Sequence, residues 1–401
     1  MFRSQSLTPV ALAVGGLVAM AAAVGVGRFI YTPILPLMVE DLGMTKASAG
    51  VLASANFAGY LAGALLAATS MVAGSRRRWL LAGLTASALT TGAMGLASSP
   101  VTFLLLRFSG GVASAFALVF ASALVLDGLA TAERPGLSAL HFAGVGVGIA
   151  ISAVLSSALT TFGGGWRSIW LAGGVISLVA VAAVIALVPD RPGAAPASPA
   201  RAHRVDRGLA ALVTAYGLFG FGYIVTATFL VAIVRDARYD RAFEPVVWLV
   251  VGLTAAPSVA FWTWAGTRIG IGSAFALACV AEAIGVVASV MHTTAAVLLG
   301  AALLGGTFMG LTALGLIGAR RLSSGDPRAT LAIMTAAFGL GQIVGPAFAG
   351  LVHDATASFV LPSLAAVAAL VLGALLAFAI AGPSSKRPSL TRHCHETPLR
   401  S

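Results

Sequence analysis

Charged side chains are scarce in this sequence. Only 9% of the 401 residues are Asp, Glu, Lys or Arg, whereas a soluble globular domain carries about 25%. Apolar residues make up 59%, and the mean hydropathy is +0.98. So few charges could not cover the surface of a water-soluble protein of this length. We therefore predict an integral membrane protein that is surrounded by the lipid bilayer.

Motifs for several other protein classes are also missing. The two cysteines, Cys279 and Cys394, make no disulfide framework, and the adjacent residues 393–396, His-Cys-His-Glu, lack the spacing of a closed metal site. No Gly-x-x-x-x-Gly-Lys-Ser/Thr loop is present to bind phosphate. We expect no metal, no cofactor and no enzymatic activity. The net charge of +11 does not indicate nucleic acid here, because basic loop residues orient membrane helices.

Long apolar runs dominate the chain. A helix needs about 20 mostly apolar residues to cross a bilayer, and cutting the sequence at its charged, proline and Gly-Ser clusters gives twelve such runs. The longest break, residues 189–208, predicts a cytoplasmic linker between six-helix bundles at 1–188 and 209–381, with a tail at 382–401. The predicted spans are 8–38, 49–72, 79–98, 101–126, 137–161, 168–188, 209–234, 246–264, 273–291, 295–318, 330–352 and 359–381.

Basic residues are distributed unevenly among the predicted loops. With the N-terminus inside, the cytoplasmic segments hold 17 of the 24 lysines and arginines, and the external loops hold 5. Basic residues concentrate on the cytoplasmic side of membrane proteins. We therefore expect a multi-pass protein with both termini in the cytoplasm.

The two predicted bundles share short sequence features. At an offset of 195 residues, three glycine-containing segments of the first bundle align in order with segments of the second. An even number of spans in each bundle makes such repeats parallel, related by an axis along the membrane normal. The aligned segments are 25–28 with 220–223, 110–111 with 305–306, and 144–146 with 339–341.

This organisation resembles the major facilitator superfamily. Residues 74–78, Gly-Ser-Arg-Arg-Arg, keep the basic cluster of the family motif between spans two and three but lack its Asp, and Arg107 with Gly111 matches the motif of span four. Residues 144–148 lack the proline that marks exporters in span five. Residues 25–38, within the first span, are similar to the YbfB/YjiJ-type branch of the superfamily.

The resemblance implies an all-α fold of twelve transmembrane helices around a central cavity, lined by spans one, four, seven and ten. It also implies a bacterial inner-membrane transporter with a small-molecule substrate. Because each chain holds a complete cavity, we expect a functional monomer. The arginines after spans two and eight are expected to form gating loops; they are Arg76, Arg77, Arg78 and Arg268.

Four ionisable residues lie inside predicted spans. Such residues cost about 2.5–3.5 kcal/mol each at the centre of a membrane helix, so they are candidates for function. Arg28 and Arg107 fall in spans one and four, and no acidic residue accompanies them in the cavity-lining spans apart from the edge of span four. We predict that they bind an anion. His141 and Glu282 are candidates for proton coupling.

Each candidate also has a structural interpretation. Arg107 could be a structural or proton-relay residue capped by backbone carbonyls, and Arg28 could extend towards an interface. Glu282 and His141 could be neutral or hydrogen-bonded packing residues. The polar residues predicted to line the cavity could instead stabilise helix contacts; they are Tyr31, Asn56, Tyr223 and Gln342.

The sequence therefore favours a secondary transporter that moves a small anionic organic solute by alternating access, with proton coupling left open. An exporter of lipophilic or cationic drugs has the same fold, but it predicts a cavity carboxylate and a Gly-Pro pair in span five. A membrane sensor that has lost transport is the alternative from another class.

Overall fold

All regular secondary structure is helical in the part of the chain that the computed structural model describes, residues 8–69, 72–190, 206–323 and 327–381. A π-helical segment, Ala21–Val26, and a 3₁₀ turn, Pro135–Leu137, accompany the α-helices. The α-helices are α1 Pro9–Met20, α2 Tyr31–Leu42, α3 Lys46–Ala67, α4 Arg76–Met94, α5 Pro100–Thr131, α6 Ser138–Thr161, α7 Trp166–Leu187, α8 Arg207–Asp236, α9 Phe243–Ile269, α10 Ile271–Ser289, α11 Thr294–Leu322, α12 Pro327–Thr356 and α13 Val360–Ala381.

Eleven helical stretches are long and apolar enough to cross a membrane, and the first of them, Pro9–Leu42, contains both α1 and α2. Helix α4 is not among the eleven because it begins with three arginines and carries four hydroxyl side chains. It nevertheless packs between α5 and α7. Each of the twelve predicted spans falls on one helical stretch, and the predicted all-α membrane fold is confirmed.

Local chemistry sets the helix boundaries. Thr45, Ser75 and Ser99 precede α3, α4 and α5, and each hydroxyl accepts a hydrogen bond from a backbone N–H in the first turn. This bond satisfies a donor that has no partner within the helix. Gly43 and Gly270 end α2 and α9 with φ of 62° and 89°. Glycine adopts such positive φ angles more readily than residues with a side chain. The resulting turns are short, so consecutive membrane helices run antiparallel.

The first span is broken, whereas the sequence predicted one continuous run at 8–38. After α1 the chain forms the π-helical segment and then a turn at residues 27–30 before α2 begins. Pro33 has no N–H to donate to the turn before it. Gly27 has no side chain, which lets the backbone at this point pass close to the Ser87 hydroxyl. A π-helical segment within a helix often accompanies a functional site. Here the break places Arg28 in the middle of the bundle.

Two helix pairs form the most extensive contacts between the N half (α1–α7) and the C half (α8–α13), and α2 also packs against α8. Helix α3 packs along α12, and α6 packs along α9. Gly50 lies against the Pro346 carbonyl in the first pair, and Gly146 lies against the backbone of Gly252 in the second. The Ser54 hydroxyl also donates a hydrogen bond of 2.6 Å to the Ile343 carbonyl across the first pair. The halves therefore meet through closely packed helices with small residues at the contact.

The domain boundary itself stays a prediction. Residues 191–205, the centre of the predicted linker, and residues 382–401, the predicted tail, lie outside the described part of the chain. The same holds for the predicted position of both termini in the cytoplasm.

Ion pairs between the halves lie at one end of the bundle, which we call the ion-pair end. Lys46 Nζ lies 3.0 Å from an Asp236 carboxylate oxygen, and Arg235 Nη1 lies 3.1 Å from Glu40 Oε2. The Asp354 carboxylate accepts hydrogen bonds of 3.1 and 2.9 Å from the first backbone N–H groups of α3. These contacts hold the two halves together at this end.

The opposite end, which we call the arginine end, is organised differently. Arg76 pairs with Asp127 at 2.7 Å, and Arg77 donates hydrogen bonds of 2.7 and 2.6 Å to the Val188 and Ile185 carbonyls. All of these contacts lie within the N half. Among the described residues, no ion pair joins the two halves at the arginine end.

Candidate functional site

A small cavity lies at the break in the first span, where the N half meets the C half. Its volume is about 10 Å³, which is room for about one water molecule. A molecule larger than water would fit only if the helices around the cavity moved apart. Residues from the first span, α3, α5 and α8 line it: Arg28, Phe29, Tyr31, Thr32, Ala53, Phe57, Arg107, Ile224, Ala227 and Thr228.

Arg28 is 6% exposed and is held by aromatic side chains. The centre of its guanidinium lies 4.1 Å from the Tyr60 ring and 4.9 Å from the Phe57 ring, and the Tyr60 hydroxyl is within hydrogen-bonding reach. Such cation–π contacts stabilise the charge where water is excluded. Both rings belong to α3, so this helix holds the guanidinium in place.

One edge of Arg28 is free. Its Nε and Nη2 atoms are buried and have no hydrogen-bond partner among the described residues. These two N–H groups point in parallel and match the two oxygens of a carboxylate. Arg235 shows this match in the same protein, because its Nε and Nη2 donate hydrogen bonds of 2.8 and 2.6 Å to the two carboxylate oxygens of Glu244. Arg28 therefore has the geometry of a carboxylate clamp, in which two parallel N–H groups can donate to the two oxygens of one carboxylate.

Arg107 is 4% exposed and is tied more firmly to the protein. Its Nε donates a long hydrogen bond of 3.4 Å to the Leu52 carbonyl, and its guanidinium lies 4.7 Å from the Tyr31 ring. Asn56 donates a hydrogen bond of 2.8 Å to the Arg107 carbonyl, which joins α3 to α5. Capping by a backbone carbonyl was the structural alternative for Arg107, and the structure contains such a contact. Its charge still faces the cavity.

The cavity carries positive charge that no acidic group balances. None of its lining residues is acidic, and neither arginine belongs to an ion pair within the described residues. The two guanidiniums are also close enough to repel each other. Burying an uncompensated charge is costly, so an anion that entered the site would relieve this cost.

Tyr223 and Gln342 lie beside the cavity on the C half. Gln342 Nε2 donates a hydrogen bond to the Tyr223 hydroxyl, and Tyr223 lies within electrostatic range of Arg28. The Thr32 hydroxyl donates a hydrogen bond of 2.8 Å to the Ala227 carbonyl, directly between the two halves. One of these polar contacts, that of Thr32 with Ala227, therefore joins the two halves beside the cavity.

The structure places the other candidates away from the cavity. His141 is buried on α6, where its Nε2 lies 3.1 Å from the Ser122 hydroxyl. Glu282 is buried on α10 within the C half. The predicted gating residues lie at the arginine end: the three arginines at 76–78 form the first turn of α4, and Arg268 lies over the Trp264 ring in the last turn of α9.

Four residues that position the site were not predicted from the sequence: Thr32, Phe57, Tyr60 and Thr228. Phe57 and Tyr60 are three residues apart on α3, the spacing that places two side chains on one face of a helix, and Asn56 beside them was predicted. An aromatic pair beside a polar residue was therefore the available signal. Thr32 and Thr228 gave no such signal, because hydroxyl residues are common in membrane helices.

Comparisons with known proteins agree with this architecture. Residues 20–378 match the family described as uncharacterised MFS-type transporter YbfB. A gallate transporter of Pseudomonas putida is 30% identical over 145 residues, which span 36% of this chain and 32% of that protein's length. The aligned segment is therefore about a third of the relative.

Solved structures show the same fold. A mutant of the nucleoside transporter NupG superposes with a TM-score of 0.71 at 16% identity, covering 92% of this chain and 98% of that one. A bacterial homologue of the human lysosomal transporter Spinster, in an inward-facing and unoccupied conformation, superposes with a TM-score of 0.65 at 15% identity. The superposition covers 93% of this chain and 96% of that one. At these identities the likeness concerns the fold alone. Because the family match covers most of the sequence, this chain belongs to the YbfB-type family of major facilitator superfamily transporters.

Proposed function

We propose that this protein is a secondary transporter of a small organic anion, and that the unpaired edge of Arg28 holds the carboxylate of the substrate. The free Nε and Nη2 atoms of Arg28 carry this proposal. Two buried, uncompensated guanidiniums in one cavity favour an anion over a cation. The same feature argues against a cation exporter, which would need a carboxylate in that cavity.

The substrate class that fits best is an aromatic carboxylate. Aromatic rings surround both arginines, and Phe29, Tyr31 and Phe57 form part of the cavity wall. Aromatic walls favour a flat aromatic ligand through offset or edge-to-face packing. The partial likeness to a gallate transporter points to the same class, since gallate is a hydroxylated benzoate.

Alternating access follows from the arrangement of the contacts between the halves. We take the ion-pair end as external, in keeping with the excess of arginine and lysine on the opposite side. The ion pairs then close the external side in this conformation, and release of Lys46 from Asp236 is part of opening it. Rocking of one half against the other would expose the cavity to each side in turn.

Thermal unfolding of the purified protein in detergent tests the substrate class. A ligand at 100 times its dissociation constant adds about 2.7 kcal/mol to the free energy of unfolding. We expect stabilisation by hydroxybenzoates, including gallate, and none by their methyl esters, which carry no charge, or by organic cations. The Arg28→Gln variant should lose the shift, whereas Arg134→Gln, at an exposed position, should keep it. Equal stabilisation of all three proteins by cations would contradict the proposal.

A further inference from the structure

A histidine lies between two carboxylates at the ion-pair end. His353, in the last turn of α12, has its Nε2 3.3 Å from Asp236 Oδ2 and its Nδ1 3.6 Å from Asp354 Oδ1. Its ring packs on Phe359 with the two ring centroids 4.3 Å apart, and its side chain is 14% exposed. The ring is therefore held by packing and can still be reached by protons from solution.

The same two carboxylates bind the N half. Asp236 Oδ1 lies 3.0 Å from Lys46 Nζ, and the Asp354 carboxylate accepts hydrogen bonds from the backbone N–H groups of Lys46 and Ala47, at the positive end of α3. Lys46 approaches Oδ1 of Asp236, whereas His353 approaches Oδ2. His353 is therefore connected to the contact between the halves without competing for the same oxygen.

Protonation of His353 changes the charge that the C half presents at this contact. His353, Asp236 and Asp354 belong to the C half, whereas Lys46 and the first turn of α3 belong to the N half. With a neutral histidine the C half presents two negative charges to Lys46, and a protonated histidine offsets one of them. Because the attraction scales with charge, protonation weakens it. Both ring nitrogens then carry a proton, so the ring can satisfy both carboxylates within the C half.

The other charged groups packed around α12 are engaged elsewhere or lie at the opposite end. Helices α3, α8, α11 and α13 pack against α12. Helix α3 contributes Lys46, and α8 contributes Asp236 together with Arg235, which pairs with Glu40 and Glu244. Helix α13 contains no ionisable residue, and the basic residues of α11 lie in its last turn, at the arginine end. Lysine, arginine and carboxylates usually keep their charge between pH 5 and 8, whereas histidine changes its charge there.

We propose that His353 is a pH switch for the ion-pair end, which opens more often when this histidine is protonated. The inference rests on the alternating access of the proposed function and is independent of the substrate. Opening separates Asp236 and Asp354 from Lys46 and from the N–H groups of α3. His353 then faces two uncompensated carboxylates and binds its proton more tightly than in the closed form. By linkage, proton binding favours the open form by the same factor.

Spin-label distances across the ion-pair end measure its opening directly. Ser98 of the N half and His292 of the C half are exposed in the loops that follow α4 and α10 at this end. Ser98→Cys and His292→Cys would carry the labels, in a background of Cys279→Ala and Cys394→Ser. We expect double electron–electron resonance in nanodiscs to show the ratio of long-distance to short-distance populations rising about fivefold from about pH 8 to about pH 5. Replacing His292 also removes a second titratable side chain from this end.

Two variants set the charge at position 353. His353→Gln cannot be protonated and should keep the short distance at both pH values, whereas His353→Arg keeps a positive charge and should favour the long distance at both. Either variant is decisive by itself if the other does not fold. The switch is wrong if the variants keep the pH dependence of the wild type, or if the wild type shows no change or shorter distances in acid. No ligand is used, so failure of the proposed anion transport appears separately, in thermal unfolding with hydroxybenzoates.

Discussion

Replacing Arg28 by Gln or by Lys is expected to reduce hydroxybenzoate uptake at least ~100-fold, equivalent to about 2.7 kcal/mol. Gln removes the charge, whereas Lys keeps it but lacks the parallel pair of N–H groups that matches a carboxylate. Uptake of a radiolabelled substrate into cells, corrected for the amount of protein in the membrane, measures the effect. Arg134→Gln is the matched control, since its side chain is exposed.

The Lys variant separates two explanations for Arg28. If only positive charge mattered, Arg28→Lys would keep most of the uptake. If the free edge of the guanidinium holds the carboxylate, both variants fail alike. Retained uptake in Arg28→Lys would therefore contradict the carboxylate clamp. It would still be consistent with an anion site in which the positive charge alone attracts the substrate.

The second large effect is expected at the ion-pair end. Lys46→Glu replaces the ammonium group that lies 3.0 Å from the Asp236 carboxylate by a second carboxylate. The two halves should then separate more often at this end. We expect a cysteine at Ala53, on the cavity wall, to react about tenfold faster with a membrane-impermeant maleimide applied from that side. The measurement uses a background without the native cysteines, Cys279→Ala and Cys394→Ser.

A charge swap provides the control for this effect. Lys46→Glu combined with Asp236→Lys restores opposite charges across the two halves and should return the labelling rate towards the wild-type value. Faster labelling from the arginine end instead would show that the ion pairs close the other side of the protein. No change in labelling from either side would show that the ion pairs do not control access to the cavity.

The sequence was sufficient for the architecture because the bilayer constrains it strongly. Backbone groups within the membrane must be satisfied by the helix itself, so long apolar runs predict helices directly. Each predicted span was recovered as a helical stretch, and eleven of the twelve are apolar enough to cross a membrane, the exception being α4. The break in the first span could not be derived from hydropathy, because Ala21–Val26 is as apolar as the helix before it. Its signals were the neighbouring glycines and Pro33.

The site was only partly predictable. Because charged residues are scarce in the predicted spans, Arg28 and Arg107 could be identified as candidates from the sequence. The structure places both at one cavity. The sequence did not distinguish their roles, because the difference lies in tertiary contacts: Arg107 donates to a backbone carbonyl, while Arg28 has two unpaired N–H groups. Phe57 and Tyr60 were missed since aromatic residues are ordinary constituents of a membrane helix.

The central claim is that the Arg28 edge binds a carboxylate, and a thermodynamic cycle tests it most directly. Isothermal titration calorimetry would compare the hydroxybenzoate that gives the largest thermal shift with its methyl ester, on the wild type and on Arg28→Gln. We predict that the wild type prefers the carboxylate by at least ~100-fold, equivalent to about 2.7 kcal/mol, and that Arg28→Gln binds both compounds with similar affinity. An equal preference for the carboxylate in both proteins would contradict the claim.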